Sequence, residues 1–251
     1  MGTVFFIGAG PGAADLITLR GARLLAQAEV VLFDALTDPA LRELAPDAQW
    51  IDVGKRGFTH ATRQTAINAL LLRSAQQHAR VVRLKGGDPS LFGRLEEELE
   101  ALAAHGIDCE VVPGVTAALA AAAAAQRPLT RRGRGRSVAF STAMTQEGEL
   151  RATRSADSEV FYMAGRQLGA LSRRLRAAGW PADTPACVVS RAGCADQLVS
   201  EHRLDTLAQA TVLHAGRPTV VTVGVAALAV AEPHKTLMQG RPIAIEAART
   251  P

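Results

Sequence analysis

Two glycines and an acid, Gly86, Gly87 and Asp88, end an apolar run in the first half of the chain. The run at residues 80–84 predicts a buried strand, and glycine lets a backbone come close to a bound molecule because it carries no side chain. A carboxylate directly after such a turn can accept protons from the hydroxyl or amine groups of a ligand. Gly-Gly-Asp-Pro is also ordinary turn chemistry, so the segment fits a ligand contact and a plain strand-to-helix turn equally well.

A second glycine-rich turn, Gly-Ala-Gly-Pro-Gly at positions 8–12, follows the first apolar run of the chain. Asp15 is predicted to cap the helix after it. The turn and Ala13 also satisfy the Gly-x-Gly-x-x-Gly/Ala pattern of dinucleotide-binding proteins, and Asp34 ends the next strand, where such proteins place a ribose-binding acid. Against that alternative, Pro11 lacks the backbone N–H that would bind pyrophosphate. Two such turns in one domain predict a shared ligand crevice.

Short apolar runs alternate with amphipathic helical patterns, which predicts an α/β fold with mostly parallel, covered sheets. Strands are predicted at residues 3–7, 30–33, 50–53, 80–84, 109–112, 137–141, 159–163, 186–190 and 219–223. The composition changes at the arginine-rich residues 131–136. We therefore predict two α/β domains, at residues 1–128 and 129–233, and a weakly constrained tail at residues 234–251.

The alanine-rich segment at residues 117–125 predicts a helix with a slim surface, and Thr116 stands where its N-cap is expected. Such a surface lets another backbone come close, either within one subunit or in a second subunit. A further helix is predicted at residues 167–178, where Gly179 and then Pro181 end the helical pattern.

Charge and metal-ligand spacing exclude several kinds of site. The chain has 28 basic and 24 acidic residues, a net charge of +4, and only three of the basic residues are lysines. Lys55 and Lys85 lie in motifs of interest, which favours a compact ammonium whose pKa can shift at those positions. The three cysteines and six histidines lack the spacing of a disulfide framework or a zinc site, so no metal site is predicted.

The arginine-rich residues 131–136 are compatible with a small nucleic-acid-binding patch and with a solvated loop between domains. The aromatic content is only 4% and no stacking platform accompanies the patch, so no nucleic-acid partner is predicted. The longest apolar run, residues 115–125, is much shorter than the roughly 20 residues of a membrane span, and a signal-sequence pattern is absent. We therefore predict a cytoplasmic protein without a membrane partner.

A series of motifs, in an unchanged order, resembles the uroporphyrinogen-III C-methyltransferase family of tetrapyrrole methyltransferases. The motifs are Gly-Ala-Gly-Pro-Gly at 8–12, Asp34, Gly-Lys-Arg at 54–56, Arg-Leu-Lys-Gly-Gly-Asp-Pro at 83–89, Phe-Gly-Arg at 92–94, Val-Pro-Gly-Val-Thr-Ala at 112–117, Pro-Leu-Thr at 128–130 and Phe-Tyr-Met at 161–163. The resemblance implies transfer of methyl groups from S-adenosylmethionine to two pyrrole carbons of uroporphyrinogen III, giving precorrin-2 for sirohaem or cobalamin.

The resemblance also implies roles for individual residues. It assigns Asp34 as the proton acceptor and Lys55 as the proton donor, and it implies a homodimer. Cofactor and substrate are expected in a trough between the two domains. The residues expected to line the cofactor site are Pro11, Gly86, Gly87, Asp88, Leu91, Thr116, Ala117, Met163 and, through its backbone, Ala192.

Uroporphyrinogen III carries eight carboxylates, so a protein that binds it needs a basic, water-filled cleft. Arginine pairs with carboxylates through two parallel hydrogen bonds. The candidates for this role are Arg56, Arg83, Arg94, Arg131 and Arg132.

The chain departs from the family pattern mostly on the expected tetrapyrrole side. Phe33 replaces a common tyrosine, Leu95-Glu96 replace Gly-Gly, Arg131 replaces a histidine, and Ala143-Met144 replace Gly-His. The sister precorrin methyltransferases of cobalamin synthesis therefore stay an alternative, and the number of methyl transfers is left open.

Overall fold

The computed structural model describes residues 1–54, 64–143, 150 and 152–230. Its strands are β1 Thr3–Gly8, β2 Val30–Phe33, β3 Gln49–Asp52, β4 Arg80–Lys85, β5 Cys109–Val112, β6 Val138–Thr142, β7 Ser158–Tyr162, β8 Pro185–Ser190, β9 Leu198–Arg203 and β10 Thr219–Gly224. Its α-helices are α1 Leu19–Leu25, α2 Gln64–Gln77, α3 Leu95–Ala103, α4 Ala117–Ala124, α5 Leu168–Ala177 and α6 Ala210–Leu213.

The first sheet is fully parallel, with strand order β3-β2-β4-β1-β5. Its middle strands β1 and β4 are largely buried on both faces, which explains the apolar run of β1 and the pair Val81 and Val82 in β4. One face packs against α2 and α3 around Leu71 and Leu102, and the other covers a second cluster that includes Leu25 and Leu41. All five strands therefore end at the same edge of the sheet, where β1 and β4 lie side by side.

The second sheet has the order β6-β7-β10-β8-β9 and is mixed. Only β6 and β7 run parallel, while β10 is antiparallel to β7 and β8, and β8 is antiparallel to β9. The α/β class with two sheets is confirmed, but the second sheet is less parallel than the alternating pattern indicated. Strand β9 was not predicted from the sequence. Every second residue of this edge strand is exposed, and most of its residues are polar.

Helix α4 packs on the second sheet. Its buried residues Ala118 and Ala121 lie in one apolar cluster with Val160 and Val189, so only small side chains separate helix from sheet. Just after the helix, the buried Arg127 donates to the backbone oxygen of Ala227 at 2.5 Å and forms an ion pair with Glu201. The chain has therefore reached the second sheet before residue 128, while a domain boundary at that residue stays a prediction.

One predicted helix cap is wrong, and the other is confirmed in position but not in its side-chain bond. Asp15 lies inside a short 3-10 helix, Ala14–Leu16, and α1 is capped instead by Thr18, whose Oγ1 accepts from the backbone N–H of Gly21 at 3.1 Å. Thr116 does precede α4, but its hydroxyl makes no capping bond to the helix. Its side chain is engaged with the second sheet, which competes with the local cap.

Within residues 1–54, 64–143, 150 and 152–230, none of the helices is both long and apolar enough to cross a membrane. Within the same ranges, His, Cys, Asp and Glu side chains form no group of three that could hold a metal ion.

Candidate active site

The two glycine-rich turns are hydrogen-bonded to each other. The N–H of Gly87 donates to the oxygen of Gly10 at 2.6 Å, and the N–H of Gly10 donates to the oxygen of Gly87 at 3.2 Å. They meet because β1 and β4 are parallel neighbours whose carboxyl ends share an edge. The predicted proximity of the two turns is confirmed, at the place where open α/β sheets bind ligands.

A third backbone segment, the loop after β5, presses against both turns. A Cβ atom on Gly114 would lie 2.7 Å from the Cα of Gly8 and closer still to the oxygen of Gly87. Gly87 itself has a φ of +71°, a conformation that side chains disfavour. A Cβ on Gly87 would lie 3.9 Å from the backbone nitrogen of Ala117. The start of α4 therefore lies against the same place. We call the meeting point of the turns at residues 8–12 and 86–88, the loop at Gly114 and the start of α4 the junction.

Asp88 ties this junction together. Its Oδ1 accepts from the N–H of Ser90 at 2.8 Å and its Oδ2 accepts from the N–H of Gly114 at 2.9 Å. Each carboxylate oxygen has a second lone pair, and the side chain is only half-buried, so further donors can still reach it. Gly86 and Leu91, on either side, are also partly exposed.

Tyr162 at the end of β7 connects the second sheet to the junction. Its hydroxyl lies 2.6 Å from the Oγ1 of Thr116, and its ring lies 5.0 Å from that of Phe92, centroid to centroid. Burial raises the pKa of Tyr162, so its phenol stays protonated. The next residue, Met163, has a φ of +57° and is 45% exposed, a strained backbone of the kind found at functional sites.

The loop after β8 lies against the first glycine-rich turn. A Cβ on Gly12 would lie 2.7 Å from the Sγ of Cys194, and one on Gly193 would lie 3.8 Å from the Cγ of Pro11. Ala192 stands in this loop and is buried. Residues expected around one cofactor therefore come from both sheets and lie along a continuous set of contacts.

Four charged side chains form a second cluster beside the same sheet edge. The Nη2 of Arg83 donates to Asp34 Oδ1 at 2.7 Å, and its Nε donates to Glu98 Oε1 at 3.1 Å. The Nζ of Lys85 donates to Glu98 Oε2 at 2.7 Å. The side chains of Arg83, Lys85 and Glu98 are at most 3% exposed, whereas that of Asp34 is 31% exposed.

Burial is the main influence on the two cations of this cluster. It lowers the pKa of Lys85, and the neighbouring Arg83 lowers it further, against the attraction of Glu98. Burial also acts to lower the pKa of Arg83, but Asp34 and Glu98 outweigh it and the net shift is upward. Arg83 is therefore permanently charged, while Lys85 is the more easily deprotonated of the two.

The predicted arginine anchors that lie in the described part of the chain differ in their partners. Arg94 is exposed and makes two hydrogen bonds to Glu97, at 2.7 and 2.6 Å. Arg131 donates to the backbone oxygens of Leu228 and Ala229, and Arg132 is exposed. Lys55, Arg56 and Met144 lie outside the described residues.

Sequence reasoning did not single out Glu98, and it named Tyr162 only as part of the Phe-Tyr-Met motif, without a role. Glu98 lies in the acid-rich start of α3. Such a run of acids predicts a solvent-exposed helix face. A signal existed in β4, where Arg83 and Lys85, two residues apart, must share one face of a buried strand and so need an acidic partner.

The chain is an α/β protein whose two glycine-rich turns meet at the carboxyl ends of a parallel sheet, the place where proteins of this class bind small ligands. More specifically, the chain belongs to the Tetrapyrrole (Corrin/Porphyrin) Methylases, whose family model matches residues 3–208.

Three proteins illustrate the similarity. A siroheme synthase of Pseudomonas paraeruginosa is 44% identical over 230 residues, which are 89% of this chain and 50% of that protein. A uroporphyrinogen-III C-methyltransferase of Pseudomonas aeruginosa is 42% identical over 89% of this chain and 93% of its own length. The crystal structure of uroporphyrin-III C-methyltransferase from Thermus thermophilus, complexed with S-adenyl homocysteine, matches with a TM-score of 0.79, at 36% identity, over 90% of this chain and 98% of that one.

The relatives differ in length. The chain spans about half the length of the curated siroheme synthases it matches, and nearly the whole length of the Pseudomonas aeruginosa methyltransferase.

The close approach of backbones predicts the effect of a single methyl group. Gly114→Ala should lower the melting temperature clearly, because its Cβ has no room between Gly8 and Gly87. The backbone would have to shift, which costs stability. Gly169→Ala is the matched control. It lies in α5 with 3.6 Å to the nearest atom, so it should be neutral or stabilising by up to about 1 kcal/mol. Thermal unfolding followed by circular dichroism measures both, and an unchanged Gly114→Ala variant would contradict the tight junction.

Proposed function

We propose that the chain transfers methyl groups from S-adenosylmethionine to two pyrrole carbons of uroporphyrinogen III, giving precorrin-2. The observation that carries this proposal is the junction of three backbone segments at the sheet edge, in a chain that belongs to the tetrapyrrole methylases. The Pseudomonas aeruginosa relative named for this activity supports it, because the alignment covers nearly all of that protein.

The cofactor is proposed to lie along the contacts that run from Pro11 and the turn at Gly86 and Gly87 to the second sheet. The Thermus thermophilus relative, bound to S-adenyl homocysteine, supports this choice of cofactor. Asp88 and Thr116 are the polar side chains proposed nearest to it, with Leu91, Ala117, Met163 and Ala192 contributing apolar surface or backbone groups. The sulfonium supplies the methyl group, so the chain's own residues need to position the two reactants and move a proton.

In the chemical step a pyrrole carbon forms a bond to the methyl carbon, while the bond between the methyl carbon and sulfur breaks. The methylated tetrapyrrole must then lose a proton. Asp34 is proposed as its acceptor, because it is the partly exposed acid at the carboxyl end of β2. Lys55 is proposed as the proton donor from the family resemblance alone.

The carboxylates of the substrate need exposed cations. Arg132 is exposed, and its neighbour Arg131 is proposed as a further anchor. Arg94, exposed at the start of α3, is proposed as an anchor at a separate position. Arg56 keeps this role as a prediction. Arg83 is buried and already bonded to two acids, so its donors are largely engaged.

The direct test is incubation of the purified chain with uroporphyrinogen III and S-adenosylmethionine, read by mass spectrometry of the tetrapyrrole. We expect a product heavier than the substrate by two methyl-for-hydrogen exchanges. A parallel incubation uses precorrin-2 as the substrate. Methylation of precorrin-2 but not of uroporphyrinogen III would instead favour a sister precorrin methyltransferase. If neither tetrapyrrole is methylated, the proposed function is wrong.

The proposed role of Arg132 as a carboxylate anchor gives a second prediction. Arg132→Ala should raise KM for uroporphyrinogen III with little change in kcat, and the difference from wild type should shrink with added salt, since exposed charge pairs are screened over about 10 Å at 0.1 M. Arg136→Ala, which removes an exposed arginine of the same segment, is the control and should leave KM unchanged. Equal KM values in all three proteins would assign residues 131–136 to a solvated loop.

A homodimer is also proposed. Leu119 is 52% exposed on α4 and borders an apolar cavity of about 390 Å³ formed with Leu16 and Val115, a surface that a second copy of the chain can cover. Light scattering at micromolar concentration should give twice the chain mass of 26.4 kDa. A species of the chain mass would contradict the dimer. Localisation in the cytoplasm stays a prediction.

A further inference from the structure

The cluster of Asp34, Arg83, Lys85 and Glu98 is more than a set of surface ion pairs. Strand β4 points every second side chain to the same face, so Arg83 and Lys85 both face α3, and Glu98 receives one hydrogen bond from each. Glu98 is fully buried, and the neutral Gln64 adds a third hydrogen bond to it at 3.2 Å. A carboxylate in such a place is held in one position by its partners.

The charges of the cluster balance only when Asp34 is included. Two cations and one acid are buried, and Asp34 supplies the second negative charge from the exposed side. Burying an unpaired charge is costly, so removal of one member affects the placement of the others. Asp34 is therefore the solvent-facing end of a chain of ion pairs that runs from Lys85 through Glu98 and Arg83.

Arg83 connects the two acids and has little freedom of its own. Besides its bonds to Asp34 and Glu98, its Nη1 donates to the backbone oxygen of Leu84 at 3.2 Å and reaches that of Leu32 at 3.5 Å. A planar guanidinium held on several sides offers Asp34 a donor in a fixed direction. The orientation of the Asp34 carboxylate is thereby set from inside the protein.

We propose that Glu98 is a positioning residue that acts through Arg83 to orient the Asp34 carboxylate toward the substrate. The inference rests on the proposed function, in which Asp34 accepts the proton that leaves the methylated tetrapyrrole. It gives Arg83 a role different from that of a carboxylate anchor. An anchor would chiefly change KM, whereas a residue that positions the proton acceptor changes kcat.

A mutant cycle tests this. Glu98→Gln keeps the shape of the side chain but removes its charge, and it should lower kcat about ten- to hundredfold, the scale of a small misplacement of a reacting group. KM for uroporphyrinogen III and the affinity for S-adenosylhomocysteine should stay within about twofold. Adding Glu98→Gln to Asp34→Asn should lower kcat no further, because Glu98 acts only through Asp34. Glu100→Gln, an exposed acid on the same helix, is the control.

A second variant covers the case in which Glu98→Gln does not fold. Arg83→Lys keeps the positive charge, but an ammonium does not reproduce the fork that bonds both acids, so kcat should fall while KM stays near that of wild type. The melting temperature of each variant is measured beside its kinetics.

The outcomes separate the two claims. An active wild-type protein whose Glu98 and Asp34 variants lower kcat independently, or whose Arg83→Lys variant changes KM alone, overturns the positioning role and leaves the proposed function in place. A wild-type protein that does not methylate uroporphyrinogen III overturns the proposed function and this inference with it.

Discussion

The approach of three backbones at Gly8, Gly87 and Gly114 is the constraint on which the rest of the site depends. Parallel neighbours β1 and β4 bring the first two to one edge, and β5 brings the third. A Cβ on Gly8 or Gly114 would clash with a neighbouring backbone, and Gly87 has a φ of +71°, which side chains disfavour. Glycine at these positions therefore lets the strand ends approach and keeps the hydrogen bonds between Gly10 and Gly87. With the backbones in contact, Asp88 and the start of α4 are held within reach of the second sheet through Thr116 and Tyr162.

The charged cluster lies beside the same strand ends. Strand β4 serves both features, since its buried Arg83 and Lys85 are followed directly by the glycine-rich turn. A shift of this strand would move the proposed cofactor turn and the proposed proton acceptor together. One rigid strand therefore couples two parts of the site whose relative position decides whether a methyl group and a proton acceptor face the same substrate.

The sequence predicted the first sheet well because its middle strands β1, β2 and β4 carry apolar runs, and glycine-rich turns mark the ends of β1 and β4. It did not predict β9, since an exposed edge strand lacks a continuous apolar run. It misassigned the cap of α1 to Asp15, because Thr18 is an equally good capping residue and only the backbone path decides between them. The sequence groups Arg83 with the substrate anchors, a role that stays a prediction, because no motif shows that an acid from α3 faces it. The pattern of β4 shows that its buried cations need an acid, but which acid supplies the charge follows from packing between distant segments.

The central claim is that the junction at the sheet edge binds S-adenosylmethionine and not a dinucleotide. A crystal structure of the chain with S-adenosylhomocysteine tests it most directly. We expect ligand density between the turn at Gly86 and Gly87 and the segments at Met163 and Ala192. The ligand should not contact Asp34, which is expected to face the substrate. Density for NAD in a parallel soak, with its pyrophosphate on the turn at positions 8–12 and its ribose on Asp34, and none for S-adenosylhomocysteine, would contradict it.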